Sequence, residues 1–165
     1  MIYQTSSKII YQSYYNTPGV RNICHAVKHN STAAVKTIAE YLTEQADIKP
    51  HDIIVPVPQH TGRATYNRSI ADIISARTGA KTADVLRCKP RETLYLQKLR
   101  QSEKLHTDFY LADEIPTGKI YIIDNVIATG RTIFDICDLL NTSFIPLVFA
   151  VDETRFNSWD DLRNI

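Results

Sequence analysis

One stretch of the chain, residues 118–132, places a short apolar segment, an acidic residue and a small-residue loop in a fixed order. Residues 120–123 are β-branched or aromatic, which is typical of a strand that is covered on both faces. Asp124 and Asn125 follow and are expected to end this strand with polar groups. Residues 133–140 then carry apolar side chains at helical spacing. A strand, a short loop and a helix in this order predict one unit of an α/β fold.

The loop between the predicted strand and the predicted helix is rich in small and hydroxyl-bearing side chains. Its residues are Ala128, Thr129, Gly130, Arg131 and Thr132. A loop of this kind that opens into a helix N-terminus directs several backbone N–H groups towards one point. The sequence therefore predicts an anion site, for which phosphate is the usual occupant. An ordinary turn between a strand and a helix is the alternative, and the Arg131 side chain either adds charge to the site or points into solvent.

Apolar segments with helical and strand patterns alternate along the rest of the chain. Helices are predicted from residue 20 to about 28, from a cap at Asn30 or Ser31 to about 42, and from 66 to 78. Strands are predicted at 53–57, 83–86, 109–111 and 144–151. This alternation predicts an α/β domain with a central, mostly parallel sheet flanked by helices. The length of 165 residues suits a single domain over residues 1–165.

Three segments are expected to lie outside the core of this domain. Residues 1–16 are polar and tyrosine-rich, and form either an edge hairpin or a small hood. Residues 87–111 are long and charged, so they form either a flexible lid that closes over a ligand or a charged surface loop. Residues 152–165 form a polar C-terminal tail.

Charge, cysteine usage and hydropathy exclude several classes of protein. The net charge of +1 gives no general attraction to nucleic acid. Cys24, Cys88 and Cys137 are an odd number without a Cys-x-x-Cys pair, which argues against a disulfide framework and a zinc site. No window approaches a membrane span, and residues 1–13 lack a secretory signal. We expect a cytoplasmic protein with a small-molecule ligand and no direct contact with nucleic acid or membrane; a homodimer is compatible with these features.

Residues 120–132 resemble the phosphoribosyl pyrophosphate (PRPP) signature of type I phosphoribosyltransferases. In that signature a hydrophobic strand runs into two acidic residues, two apolar positions and a Thr-Gly loop, and Asn125 departs from it at the second acidic position. The Val-Pro-Val-Pro segment at residues 55–58 and the Tyr66-Asn67 pair are similar to the ComF-like (competence protein F) branch of this family. The resemblance covers roughly residues 20–151 and implies a type I phosphoribosyltransferase-like fold.

The resemblance implies a role for each part of the strand and loop. Residues 128–132 would hold the 5′-phosphate through backbone N–H groups, hydroxyls and the helix dipole. Asp124 would accept a hydrogen bond from a ribose hydroxyl and act on Mg²⁺ indirectly, through the ribose or water, although a local turn bond is the alternative. Asn125 would stand at the place of the second catalytic acid. Since Asn keeps an acceptor but loses a charge, Asn125→Asp is expected to raise turnover.

Two further segments would meet the diphosphate. Pro58, Gln59, His60 and Thr61 are similar to the family's pyrophosphate loop, which binds the diphosphate with Mg²⁺. The side chain of His60 is either a ligand contact or solvated. In the lid, Arg100 or Lys104 would reach the leaving pyrophosphate when the lid closes.

The implied reaction displaces pyrophosphate from C1 of the ribose of PRPP by a nitrogenous base, with Mg²⁺ present. This makes a phosphoribosyltransferase of nucleotide metabolism the first hypothesis. Asn125 leaves open a second, a PRPP- or nucleotide-binding sensor or accessory module without turnover, related to DNA uptake as in the ComF-like branch. An unrelated α/β interaction domain is the third.

Overall fold

The computed structural model of the chain describes residues 9–91 and 107–156. Within these ranges the chain forms seven strands and four helices. In chain order they are β1 (Ile10–Tyr14), α1 (Val20–Lys28), α2 (Thr32–Gln45), β2 (Ile53–Pro56), α3 (Tyr66–Thr78), β3 (Lys81–Thr82), β4 (Leu86–Cys88), β5 (Phe109–Leu111), β6 (Ile120–Ile127), α4 (Arg131–Leu140) and β7 (Ile145–Val151).

Five strands form one sheet in the order β1-β7-β6-β2-β3, and every neighbouring pair in it is parallel. Helices cover both faces of this sheet. The predicted α/β fold with a central, mostly parallel sheet flanked by helices is therefore confirmed. No helix in residues 9–91 and 107–156 is long and apolar enough to cross a membrane.

The sheet separates two apolar cores. On one face α1, α2 and α3 pack against the sheet, with Cys24, Ile38 and Ile70 in the same cluster as Tyr121 of β6. On the other face α4 packs its buried Ile133 and Ile136 among residues of β6 and β7. Because α3 follows β2 and α4 follows β6, the chain leaves two adjacent strands towards opposite faces. Such a switch point opens a crevice at the carboxyl ends of the strands, where ligands bind in open α/β sheets.

Local sequence signals set the ends of the elements around this crevice. Ser31 caps α2, because its Oγ accepts a hydrogen bond from the backbone N–H of Ala34 at 3.3 Å. Gly79 ends α3 in the left-handed region with φ 78, as expected for a helix C-terminus. Pro56 lies at the end of β2, where its missing N–H costs the sheet no internal bond.

Three predictions about strands are corrected. β6 does not end at Asp124 and Asn125 but continues to Ile127, because its last residues still pair with β7. Residues 10–14 are not half of a hairpin within the described chain; they form an edge strand that pairs in parallel with β7. The strand predicted at 83–86 is also wrong, because β3 ends at Thr82 and β4 begins at Leu86.

β4 and β5 form a separate antiparallel ribbon, in which Leu86 pairs with Leu111. Beyond it the Lys89 ammonium lies 3.2 Å from a carboxylate oxygen of Asp108. The segment predicted as a flexible lid, residues 87–111, therefore starts and finishes in this ribbon. Residues 92–106, which include the predicted catalytic Arg100 and Lys104, lie outside the described residues. The same holds for residues 1–8 of the predicted hood and 157–165 of the predicted tail.

Candidate functional site

Asp124 lies in β6 next to the carboxyl end of β2, beside the switch point of the sheet. The pairing of β2 with β6 ends where Pro56 lies opposite Ile123, so Asp124 is the next residue along β6. On its other side β6 remains paired, with Asp124 opposite Val148 of β7. The side chain is only partly buried. The sheet topology thus brings this carboxylate to the edge at which a ligand would bind.

Two hydrogen bonds hold one oxygen of the Asp124 carboxylate. Oδ1 accepts from the backbone N–H of Asn125 at 2.8 Å and from Nδ2 of Asn67 at 3.1 Å. The same Asn67 nitrogen donates to the backbone oxygen of Val57 at 3.0 Å. In the part of the chain that the structure describes, Oδ2 of Asp124 has no protein partner. One carboxylate oxygen is fixed, and the other is free to accept a hydrogen bond from a ligand.

The ionisation of Asp124 is shifted towards neutral pH. Burial raises the pKa of Asp124 to about 6, against the opposing effects of the Asn67 bond, the Asn125 N–H bond and the charge of Lys28. A carboxyl group in a crevice with a pKa near neutrality is a candidate for a functional group. Only the ionised form lacks a proton on both oxygens, so the Asp124 carboxylate is a full acceptor above about pH 6.

Two neighbouring groups of Asp124 stay uncharged at neutral pH. Burial raises the pKa of the Cys24 thiol to about 12, with the Lys28 charge acting in the opposite direction and the Asp124 charge adding to the rise. Burial also raises the pKa of Tyr66, and the charge of Asp124 contributes. Lys28 is therefore the positive charge that acts on the Asp124 carboxylate from α1.

Asn125 lies in a different environment from Asp124. Its side chain is buried, with the residue 4% exposed, and its Nδ2 has no hydrogen-bond partner in the described chain. Successive residues of a strand point to opposite faces, and β6 continues through both residues. The two side chains therefore do not form a pair on one surface, and the predicted catalytic role of Asn125 has no support from this geometry.

The loop after β6 leaves backbone donors open. Gly130 is the N-cap of α4 with φ 81, a conformation that favours glycine, and it supplies no side-chain cap to the helix. Arg131 N–H lies 3.4 Å from Oγ1 of Thr129. The backbone N–H groups of Thr132 and Ile133 have no partner among residues 9–91 and 107–156. These donors and the positive end of the helix dipole fit an anion.

The Arg131 side chain forms an ion pair within α4. Its Nε lies 2.9 Å from Oδ1 of Asp135, one turn further along α4, and its guanidinium lies over the Phe134 ring at 5.5 Å from the centroid. The other Asp135 oxygen accepts from the backbone N–H of Thr107 at 3.4 Å. The Arg131 guanidinium is therefore held by Asp135, which also joins α4 to the residue two positions before β5.

The loop after β2 is closed by its own hydrogen bonds. Gly62 N–H donates to the backbone oxygen of Gln59 at 2.9 Å. Oε1 of Gln59 accepts from the backbone N–H and the hydroxyl of Thr65 at 2.5 and 2.6 Å, just before α3. The side chain of Gln59 therefore organises the start of α3. Pro58 is buried, whereas His60 and Thr61 are exposed.

Asn67 is the residue of this site for which no role was predicted from the sequence. It appeared there only as part of the resemblance at the start of a helix. The available signal was its spacing, because Asn67 stands three residues before Ile70 and seven before Ile74, on the apolar face of the predicted helix. A polar side chain on a buried face needs hydrogen-bond partners, and Asn67 is 1% exposed. Its partners lie on β2 and β6 and are distant in sequence, so their identity depends on the strand order.

No protein-family model matches the chain, and no curated protein matches it. Among solved structures, the chain is similar to a hypoxanthine phosphoribosyltransferase from Staphylococcus aureus. The two chains are 15% identical with a TM-score of 0.46, and the similarity covers 85% of this chain and 69% of that chain.

Proposed function

We propose that the protein binds a phosphoribosyl compound such as PRPP in the crevice between β2 and β6. It transfers the phosphoribosyl group to or from a nitrogenous base, with pyrophosphate as the co-product. One observation carries this proposal: β6 holds Asp124, which has a free carboxylate oxygen, and leads directly into a loop and helix with open N–H donors. A sugar phosphate presents a hydroxyl donor and an anion in a single molecule, so it matches both groups.

Mg²⁺ fits this site as a companion of the ligand. Residues 9–91 and 107–156 contain no group of three or more His, Cys, Asp or Glu side chains that could hold a metal ion. Mg²⁺ is commonly bound by one or two carboxylates together with substrate phosphates and retained waters. Asp124 would meet it through the ribose or a water, and the diphosphate would supply most ligands. Bound in this way, the ion would offset the negative charge of the departing pyrophosphate.

The residues of the chain have separate tasks in the proposed reaction. The bond from C1 of the ribose to pyrophosphate breaks, and a bond from C1 to a ring nitrogen of the base forms. Asp124 accepts from a ribose hydroxyl and stabilises positive charge on the sugar ring. The loop of residues 128–132 holds the 5′-phosphate at the N-terminus of α4. His60 and Thr61 are exposed to meet the diphosphate, and Arg100 and Lys104 remain proposed contacts of the leaving group.

A binding module without turnover is the second candidate, and Asn125 favours it. The acid pair of the family's signature is reduced here to the single carboxylate of Asp124, because Asn125 is neutral and buried. Binding of a phosphorylated ribose needs the donors of the loop and one acceptor for a hydroxyl. Catalysis also needs stabilisation of the positive charge on the ribose ring, and this stabilisation is weakened most when the second carboxylate is missing. Such a module would act as a sensor or an accessory protein.

The finer assignment to the ComF-like branch rests on two pieces of sequence that meet in space. The Val-Pro-Val-Pro segment includes Val57, and the backbone oxygen of Val57 accepts from Nδ2 of Asn67 at 3.0 Å. Asn67 belongs to the second piece of that resemblance. This contact supports the proposal that both pieces serve one site, with roles in nucleotide metabolism or in DNA uptake as the functional options.

Calorimetry with PRPP and with ribose 5-phosphate, with and without Mg²⁺, tests the binding part of this proposal. We expect Mg²⁺-dependent binding of PRPP that Asp124→Asn weakens by about tenfold or more, since a charged acceptor is replaced by a neutral one. Asp47→Asn is the matched control, because Asp47 is exposed and precedes β2 at the opposite edge of the sheet. Absence of heat with both ligands would contradict the proposal.

A pyrophosphate-release screen separates the two candidates. PRPP, Mg²⁺ and the wild-type protein are incubated with a panel of purines, pyrimidines and other amines, and released pyrophosphate is measured. Release that depends on one base identifies a transferase and its acceptor class. Binding of PRPP without release for any member of the panel favours the sensor or accessory module.

A further inference from the structure

Asn67 joins the ends of the two strands that border the crevice. Its Nδ2 donates to the backbone oxygen of Val57, just beyond β2, at 3.0 Å and to Oδ1 of Asp124, on β6, at 3.1 Å. Asn67 is 1% exposed, so its bond to Val57 is shielded from bulk water, and its bond to the partly buried Asp124 is shielded on the Asn67 side. The backbone of each acceptor residue is held by the sheet: Val57 N–H donates to the oxygen of Ile123 at 2.9 Å, and Asp124 lies opposite Val148 of β7.

The position and orientation of Asn67 are determined by its surroundings. Asn67 is the second residue of α3, and this helix is anchored by the fully buried Ile70, Ala71 and Ile74. Two oxygen acceptors require the amide nitrogen on their side, because a flipped amide would place oxygen against oxygen. Oδ1 of Asn67 has no partner in the described part of the chain, so nothing on that side competes for the orientation.

We infer that Asn67 is the positioning residue of Asp124: it ties Oδ1 to the end of β2 and leaves Oδ2 as the acceptor for a ligand. Asn67 itself does not touch the ligand in this role. The identity of that ligand as a phosphoribosyl compound rests on the proposed function, whereas the tie between Asn67 and Asp124 does not. Removing the Asn67 donor should therefore change the Asp124 carboxyl group in the free protein as well as in the complex.

The pKa of Asp124 provides the readout. Besides the Asn67 amide, three titratable groups interact with the Asp124 carboxylate. Lys28 on α1 lowers its pKa through its charge, while Cys24 on α1 and Tyr66 on α3 stay protonated near neutral pH. The Asn67 bond also favours the ionised form. Loss of this bond must raise the pKa of Asp124 above its value of about 6, because burial then acts with less opposition.

Carbon-13 NMR of the Asp124 carboxyl group tests the inference in the protein without ligand. We expect the titration midpoint to rise in Asn67→Ala and to return part of the way in Asn67→Ser, which keeps one hydroxyl donor. Asn22→Ala is the matched control, because Asn22 lies on the exposed face of α1 and should leave the midpoint unchanged. Near-UV circular dichroism verifies that each variant is folded.

The wild-type protein supplies a second measurement that needs no substitution. If the bond exists, the side-chain amide protons of Asn67 must shift with the same midpoint as the Asp124 carboxyl group. An amide that does not follow this titration, or an Asn67→Ala midpoint equal to that of the wild type, would overturn the inference.

Ligand affinity then separates the inference from the proposed function. If PRPP binds, Asn67→Ala should lose about tenfold in affinity at pH 7 and shift the pH profile of binding upwards, and Asn67→Ser should recover part of both. An unchanged affinity and profile would overturn the positioning role. If the wild type binds neither PRPP nor ribose 5-phosphate, the proposed function fails, and the titration alone decides the tie between Asn67 and Asp124.

Discussion

The loops that follow β2 and β6 leave adjacent parallel strands at the same edge of the sheet, but they use their hydrogen-bonding groups differently. After β2, Gln59 is bonded through both its backbone and its side chain, and Gly62 closes the turn. After β6, the N–H groups of Thr132 and Ile133 have no partner within the described residues. The loop after β2 is closed, because its hydrogen-bonding groups are paired within the protein. The loop after β6 is open, because it presents these unpaired N–H donors to a ligand.

This difference assigns different properties to the two loops. A closed loop contributes to the stability of the fold and to the shape of the crevice, so its substitutions should act mainly on unfolding. An open loop contributes little to its own stability, so its substitutions should act mainly on ligand affinity. Asn67 connects the two sides, because it bonds to Val57 at the start of one loop and to Asp124 ahead of the other.

Asn125→Asp should have the largest effect on the free energy of unfolding. It tests whether the Asn125 side chain belongs to the core or to the ligand site. The sequence predicts that a second acid raises turnover, but this position is only 4% exposed and the Nδ2 of Asn125 has no hydrogen-bond partner within the described residues, so a carboxylate here would lose its hydration. We expect a loss of about 4 kcal/mol in the free energy of unfolding at pH 8, and no gain in turnover.

The pH dependence checks the cause of that loss. Burial raises the pKa of a carboxyl group, so the folded state of Asn125→Asp would hold its proton at a pH where the unfolded state has released it. The penalty should therefore be small near pH 4 and grow as the pH rises. Denaturant unfolding at pH 4 and pH 8 measures this difference. A fully stable variant with higher turnover would place Asn125 on the ligand side and contradict this assignment.

Gly62→Ala should cause the next largest loss in the free energy of unfolding, and it tests the closed loop after β2. Gly62 has φ 102, and a Cβ on it would lie 2.8 Å from the backbone oxygen of Cys88. Strain and this close contact together should lower the free energy of unfolding by about 3 kcal/mol. Gly19→Ala is the matched control, because Gly19 has φ 84 with nothing within 4 Å of a Cβ, and it should cost only about 1 kcal/mol. Equal losses in chemical denaturation would mean that the Cys88 contact does not matter.

Thr132→Glu tests the open loop and should affect stability and binding in opposite directions. A carboxylate in the first turn of α4 interacts favourably with the helix dipole, so unfolding should require about 0.5 kcal/mol more. The same charge repels a phosphate, and PRPP affinity should fall by about 2 kcal/mol.

Thr32→Glu provides the control, since Thr32 is exposed in the first turn of α2. It should stabilise the protein by a similar amount and leave PRPP affinity unchanged. Denaturant unfolding and calorimetry on both variants give the four values. Unchanged affinity in Thr132→Glu would show that the N-terminus of α4 does not hold the phosphate.

Sequence patterns predicted the elements that depend on local spacing and left out the contacts that depend on strand order. The parallel sheet, the cap at Ser31 and the carboxylate at Asp124 follow from nearby residues. Asn67 bonds to a residue 57 positions away, which no local pattern contains.

The length of β6 and the environment of Asn125 likewise depend on pairing with β7. The direction of the Arg131 side chain was accessible, however, because Asp135 stands at the i+4 position where opposite charges meet on a helix. The charges in the next helical turn therefore help to predict the orientation of a side chain at a helix terminus.

Asp124→Asn should have a small effect on stability, and the sign of this effect is the opposite of its effect on binding. Burial raises the pKa of Asp124 to about 6, above that of an unfolded chain, so the Asp124 carboxyl group favours the folded state below about pH 4 and loses this contribution as the pH rises to 6. Because the side chain is partly exposed, we expect Asn to be more stable than Asp by only about 1 kcal/mol at pH 8, and equal near pH 4. Unfolding measured at the two pH values checks this. A residue whose ionised form costs stability but improves ligand binding belongs to a site rather than to the core, whereas a variant that is less stable at pH 8 would make Asp124 a structural residue like Gln59.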